Sequence, residues 1–142
     1  MPTVEIEIPS RSAYVGVVRL ALASLARAAG LDEERVDDLK IAVGEACANA
    51  VLANVEAGGG APVRVSWGDE RDRVVIEVDD RGTTPPQPVS PHGGPGETGD
   101  PGDLGSRQAM SMALLDQLVD ECELVARPEG GTRARLILRT GR

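Results

Sequence analysis

Two hydrophobic periods alternate along this chain, and their order restricts the folds open to it. Five segments show the alternation of apolar and polar residues that is typical of β-strands: 3–8, 63–67, 73–79, 122–126 and 132–138. Three segments show the spacing that is typical of α-helices: 12–29, 33–57 and 106–118. The order predicts an α+β fold, a two-layer sandwich in which a mixed, mostly antiparallel sheet carries the helices on one face.

The helical segments also identify candidate core residues. In the second helix, which Asp32 or Glu33 opens, the apolar stripe consists of Val36, Leu39, Val43, Ala46 and Ala50. In the third helix it consists of Met110, Leu114, Leu115 and Leu118. We expect both stripes to face the sheet, because an amphipathic helix buries its apolar side.

The segment from about 81 to 105 differs from the rest of the chain. It consists mostly of Gly, Pro, Thr, Ser and Asp with almost no large apolar side chain, which predicts a loop that does not join the core. Loops of this length inside a compact domain are uncommon and often serve as lids over a site. We expect a single domain over 1–142 that carries a lid loop; an insertion without function is the alternative.

Charge and composition exclude several classes of protein. The 15 basic and 23 acidic residues give a net charge of −8, so we expect no direct nucleic-acid partner. Arg133, Arg135 and Arg139 alternate along a predicted strand, which favours a solvated strand face. No segment approaches ~20 apolar residues, and Cys47 and Cys122 do not form a disulfide framework. These features predict a cytoplasmic protein without a membrane partner.

Glu45 and Asn49 are the first candidate site residues. They are four residues apart, so they share one face of the second helix, together with the small side chains of Ala42, Ala46 and Ala53. An amide oxygen is a suitable ligand for Mg²⁺, and a carboxylate can orient or deprotonate a hydroxyl. The alternative is an exposed Glu–Asn pair on a solvated surface.

Two further fragments lie at predicted strand ends. Asp80 and Gly82 follow the third strand, where a carboxylate could accept a hydrogen bond from an exocyclic amine and the glycine would permit close approach of a ligand. An ordinary Asp-Gly turn explains them equally well. Gly130 and Gly131 precede Thr132 at the start of the last strand, and a hairpin turn accounts for both glycines.

The order of these fragments resembles the GHKL ATPase superfamily and, within it, the bacterial anti-sigma-factor serine kinases. The segment from Leu39 to Val51 carries the most specific part of the resemblance, and Asp120-Glu121-Cys122 followed by Gly-Gly-Thr adds to it. The resemblance implies a histidine-kinase-like ATPase fold with ATP and Mg²⁺ as cofactors. It also implies an anti-sigma factor that phosphorylates a Ser or Thr of a STAS-type anti-anti-sigma partner and sequesters a sigma factor. Members commonly form homodimers.

The resemblance also implies roles for individual residues. Glu45 would be the catalytic carboxylate and Asn49 the Mg²⁺ ligand. Asp80 would bind the adenine amine, Gly82 would let the ring lie against the backbone, and Thr132 would lie near the adenine.

At the far end of the loop, Arg107 falls where the family has a lid arginine that meets the terminal phosphates. The family's glycine boxes are altered: the first ends at Thr84 in place of glycine, and Ala109 and Ser111 occupy the glycine positions of the second. Gly105, with Gly102, would supply a shifted phosphate cradle. The alternative function is a non-catalytic GHKL-fold regulator that binds partners with little or no ATP turnover.

Overall fold

The structure, a computed structural model, describes residues 3–82 and 104–140, with side chains in the second segment from Ala109 onward. The strands are β1 (Thr3–Ile8), β2 (Val63–Asp69), β3 (Arg73–Asp79), β4 (Glu121–Ala126) and β5 (Thr132–Arg139). The helices are α1 (Val15–Ala28), α2 (Glu33–Glu56) and α3 (Leu104–Leu118). A single 3₁₀ turn, Ser12–Tyr14, forms the start of the segment predicted as the first helix.

The described strands form one sheet in the order β1-β2-β3-β5-β4, and every pairing within it is antiparallel. The predicted α+β architecture is therefore confirmed. Pairing of β3 with β5 places Asp79 opposite Arg133. One residue further along, the Asp80 amide donates a hydrogen bond to the carbonyl of Thr132 at 3.0 Å. Two strand ends that lie more than 50 residues apart in sequence thus meet at one point of the sheet.

The helices cover one face of the sheet. The inward residues of β2, β3 and β5 are buried with the apolar sides of α1 and α2 in a common core. All five residues of the predicted α2 stripe are buried, as expected. Asp32 caps the start of α2 by accepting a hydrogen bond from the Arg35 amide at 2.9 Å. Gly58 and Gly59, with φ of 117° and 80°, end the helix in the left-handed conformation that glycine adopts most easily.

The predicted stripe of α3 was half right, since Leu115 is buried and Leu118 packs against the core. Met110 is 68% exposed and Leu114 38% exposed, whereas Met112, Leu115 and Val119 are buried. Apolar residues occur on two sides of α3, so periodicity alone allowed either side to face the core. The contacts of α3 with α2 and β4 select the side that carries Met112 and Leu115.

The other face of the sheet is charged. Arg133 forms a bidentate pair with Asp79 at 2.8 and 3.0 Å, and Arg135 lies 3.5 Å from Glu123. The hydrogen bonds to Asp79, together with its negative charge, raise the pKa of the Arg133 guanidinium. The alternating arginines of β5 therefore lie on the solvated strand face, as predicted from their spacing.

Both cysteines are free thiols, and burial raises the pKa of Cys47 to about 12. Within residues 3–82 and 104–140, no helix is long and apolar enough to cross a membrane. The predicted lid loop, apart from its ends at Arg81–Gly82 and Leu104–Gly105, lies outside the described residues.

Candidate functional site

A cleft opens where α2, α3 and the adjoining ends of β3 and β5 meet. Its lining is mostly apolar and includes five polar residues: Asn49 and Glu56 of α2, Asp80 after β3, Ser111 of α3 and Thr132 of β5. The cleft encloses about 80 Å³ that a water-sized sphere can enter, which is room for a few water molecules. A few polar groups that converge in a mostly apolar cleft are the usual form of a small-molecule site.

Asp80 has its carboxylate fixed on one side only. Its Oδ1 atom accepts hydrogen bonds from the amide of Gly82 at 2.8 Å and from the amide of Thr132 at 3.2 Å. The Oδ2 atom accepts none from the described part of the chain. Burial raises the pKa of Asp80, although the two amide bonds act in the opposite direction. An oriented carboxylate oxygen is thus left for a donor that enters the cleft.

The backbone around Asp80 is held by residues that the sequence reasoning missed. Arg127, whose side chain is 8% exposed, donates from Nη1 to the Asp80 carbonyl at 3.0 Å. Buried Asn54 accepts the Arg81 amide at 2.7 Å through Oδ1. Its Nδ2 atom donates to Ser10 Oγ at 2.9 Å, which ties the strand end to a distant loop. Asn54 is a polar residue among the apolar residues in the last turns of α2. That position was the sequence signal that could have identified it.

Gly131 has a second reason to be glycine. Its φ of 88° suits the hairpin turn, as the sequence indicated. A Cβ atom at this position would also overlap the backbone carbonyl of Asp80. The turn between β4 and β5 therefore packs directly against the residue that presents its carboxylate to the cleft.

Asn49 is the polar group that α2 contributes. Its Nδ2 atom donates a hydrogen bond to Ser111 Oγ on α3 at 2.5 Å. The Oδ1 atom accepts no hydrogen bond from residues 3–82 or 104–140. Asn49 itself is exposed, so this oxygen is open to an incoming cation. The same described residues contain no cluster of three His, Cys, Asp or Glu side chains that could hold a metal ion.

Glu45 lies one turn before Asn49 on α2 and is half-buried. It does not line the cleft, so only Asn49 of this predicted pair does. One helical turn is about 5.4 Å long. Glu45 is therefore placed beyond the mouth of the cleft, on the side away from Asp80.

The other predicted site residues differ in whether they line the cleft. Thr132 is buried and lines the cleft. Gly82 does not line it: a Cβ atom there would lie 3.1 Å from Ala53 Cβ and 3.3 Å from the Ala53 carbonyl oxygen. This glycine allows the end of β3 to approach α2 closely. Gly105 and Arg107 belong to the first turn of α3, and the side chain of Arg107 lies outside the described part.

The donor set of the cleft suits Mg²⁺ bound together with a phosphorylated ligand. One protein amide oxygen is a hard ligand, and Mg²⁺ commonly takes its other ligands from water and phosphate oxygens. A helix-covered antiparallel sheet with this order of elements has the histidine kinase-like ATPase fold.

Comparison with known proteins agrees with this class. The family model described as "Histidine kinase-like ATPase domain" matches residues 8–138. The serine-protein kinase RsbW of Bacillus velezensis is 33% identical over 126 residues, which cover 85% of this chain and 76% of that protein. The RsbW of Bacillus licheniformis is 40% identical over 79 residues, covering 56% of this chain and 49% of that protein.

A solved structure has the same fold. The crystal structure of the RsbU and RsbW domains of a Mycobacterium tuberculosis protein superimposes with a TM-score of 0.66 at 21% identity, covering 98% of this chain and 32% of that one. The chain belongs to the histidine kinase-like ATPase family and, within it, to the group of RsbW-type anti-sigma-factor serine kinases.

Proposed function

We propose that this protein binds Mg·ATP and transfers the γ-phosphate to a Ser or Thr of a STAS-type anti-anti-sigma partner. In the same proposal it holds a sigma factor and so controls transcription. The observation that carries the proposal is the cleft in which the open carboxylate oxygen of Asp80 and the open amide oxygen of Asn49 both lie.

Recognition of the base rests on Asp80. Its Oδ2 atom would accept a hydrogen bond from the exocyclic amine of adenine, because Oδ1 is already occupied by two backbone amides. Apolar side chains around it, Val78, Met112 and Leu115, offer a surface for the ring. Thr132 orients Asp80 through its amide, and its side chain also borders the cleft.

Phosphate binding and transfer would take place along α2. Moving from Ala53 to Asn49 to Glu45 advances about 6 Å per step, which leads from the base towards the terminal phosphate. Asn49 Oδ1 would ligate Mg²⁺, which screens the phosphate charge when bound. Glu45, beyond the cleft, would orient the partner's hydroxyl and accept its proton. Its position outside the adenine pocket suits that task.

Two residues of α3 complete the proposed site. Arg107 would close over the terminal phosphates, where a charge-assisted hydrogen bond contributes about 1.5–3 kcal/mol. Gly105 would let a backbone amide approach a phosphate oxygen without a Cβ in the way. Both residues stand at the start of the helix, next to the end of the long loop.

Partner binding is part of the proposal. The RsbW relatives are named serine-protein kinases, and the solved neighbour combines RsbU and RsbW domains. We extend this to a sigma factor and an anti-anti-sigma factor as partners in the cytoplasm, with a homodimer as the functional unit. The net charge of −8 favours protein partners over direct contact with nucleic acid.

A specific observation favours a second candidate, a regulator that binds its partners with little or no ATP turnover. Ser111 and Ala109 stand at glycine positions of the second phosphate-binding box, and Ser111 already bonds to Asn49. A bulkier cradle could bind phosphate too weakly for catalysis.

Calorimetry separates the two candidates. Trp67 is buried in the core and does not line the cleft, so its fluorescence is a poor probe of the site. ATP should be titrated into the protein with Mg²⁺ and with EDTA. Sub-millimolar, Mg²⁺-dependent binding supports the kinase, and no binding at several millimolar ATP favours the regulator.

A further inference from the structure

The hydrogen bond between Asn49 and Ser111 joins the two helices that flank the cleft. Ser111 is 5% exposed and borders the cleft, although it lies 62 residues from Asn49 in the sequence. Its hydroxyl oxygen accepts from Asn49 Nδ2 at 2.5 Å. The family resemblance predicts a glycine at this position, which has no side chain to make this contact.

In the structure the contact engages the nitrogen of the Asn49 amide and leaves the oxygen for another partner. The oxygen and nitrogen of an amide lie on opposite sides of one planar group, and only the oxygen can ligate a cation. With Nδ2 bound to Ser111, Oδ1 is directed away from α3. A serine hydroxyl can accept from Nδ2 or donate to Oδ1. When a cation occupies Oδ1, only the first arrangement is open, and Ser111 would then hold the amide in its metal-binding orientation.

We infer that Ser111 is a positioning residue that orients the Asn49 amide oxygen for Mg²⁺ in the nucleotide complex. The inference rests on the proposed function, because it needs Asn49 to be the metal ligand. Residues that orient a metal ligand from behind commonly change metal affinity 10- to 100-fold when they are removed.

The test measures how nucleotide binding depends on Mg²⁺ concentration in Ser111 variants. Ser111→Ala removes the hydrogen-bond acceptor. Ser111→Thr keeps a hydroxyl group, whereas Ser111→Val has a methyl group of similar size in its place. Ser24→Ala, at an exposed serine of α1, is the matched control. ATP binding is followed by calorimetry over a range of Mg²⁺ concentrations and in EDTA, and melting temperatures are recorded for all four variants.

The expected result is that S111A and S111V need about 10-fold more Mg²⁺ for half-maximal ATP binding than the wild type. S111T and S24A should stay close to the wild type, and binding in EDTA should not change in any variant. A shift of S111V relative to S111T supports the inference even if S111A does not fold.

Two outcomes would overturn the inference, and only one of them would also overturn the proposed function. If the wild type shows Mg²⁺-dependent binding and S111A and S111V keep its Mg²⁺ dependence, only the role of Ser111 is wrong. If the wild type binds no Mg·ATP at all, the proposed function is wrong, and the inference is lost with it.

Discussion

Replacing Asp80 by asparagine should change which nucleotide base the protein prefers. In the wild type, Oδ1 of Asp80 accepts the amides of Gly82 and Thr132, and Oδ2 is left for the ligand. An asparagine can keep both backbone bonds through its single oxygen. It would then present an NH₂ group, a donor, where the carboxylate presented an acceptor.

The size of the effect follows from the bond that is lost. A hydrogen bond to a charged group contributes about 1.5–3 kcal/mol, so ATP should bind roughly 10- to 150-fold more weakly to D80N at about 1.4 kcal/mol per factor of ten. Inosine triphosphate carries a carbonyl in place of the adenine amine and can accept from the new NH₂ group. The preference for ATP over inosine triphosphate should therefore reverse in D80N.

Stability and pH dependence provide a second check on the same residue. Burial raises the pKa of Asp80 in the folded protein, so the folded state takes up this proton at a higher pH than the unfolded chain does. The ionised carboxylate therefore lowers stability near neutral pH, and stability gains from this group as pH falls through its folded pKa. D80N removes that cost and should melt no lower than the wild type at pH 7. Wild-type ATP affinity should fall on acidification more steeply than that of D80N.

The assay is calorimetric titration of both triphosphates into wild type, D80N and D37N, the last being an exposed aspartate of α2 that serves as the control. If D80N binds ATP as tightly as D37N does, Asp80 does not bind the base. If D80N loses both nucleotides equally while its melting temperature is unchanged, the donor and acceptor argument is wrong.

Three further substitutions test other parts of the account. Asn49→Ala should abolish Mg²⁺-dependent nucleotide binding without unfolding the protein, since the side chain is exposed; calorimetry and circular dichroism report both. Glu45→Ala should leave Mg·ATP binding intact and lower phosphotransfer by roughly 10²–10⁴-fold, measured at saturating ATP. Arg127→Met should lower the free energy of unfolding by about 1–3 kcal/mol, because the buried Asp80 carbonyl loses its donor; urea unfolding measures this, and an unchanged midpoint would contradict the assigned contact.

Local signals in the sequence explain why much of the fold could be predicted. α2 is long, has its apolar residues on one stripe, and carries a capping aspartate and terminal glycines, so each local preference indicates the same helix. In α3 the apolar residues occur on two sides, and only packing against α2 and β4 decides which side is buried. The phase of α3 therefore depends on tertiary structure.

The residues of the candidate site also fall into those that the sequence identifies and those that depend on tertiary structure. Asn49 and Asp80 belong to short motifs and could be identified from the sequence. The residues that support them could not: Asn54, Arg127 and Ser111 reach their partners across 27, 47 and 62 residues of sequence. Their partners are set by how the helices and strands pack, which no local pattern encodes.

Phosphate transfer is the most direct test of the proposed function. Purified protein is incubated with γ-labelled ATP, Mg²⁺ and the proposed anti-anti-sigma partner, beside a related RsbW kinase with its own partner. The account predicts label on a Ser or Thr of the partner protein, lost with EDTA and in N49A, and strongly reduced in E45A. An unlabelled partner, under conditions where the wild-type protein is saturated with Mg·ATP and the related kinase labels its own partner, would contradict the kinase assignment.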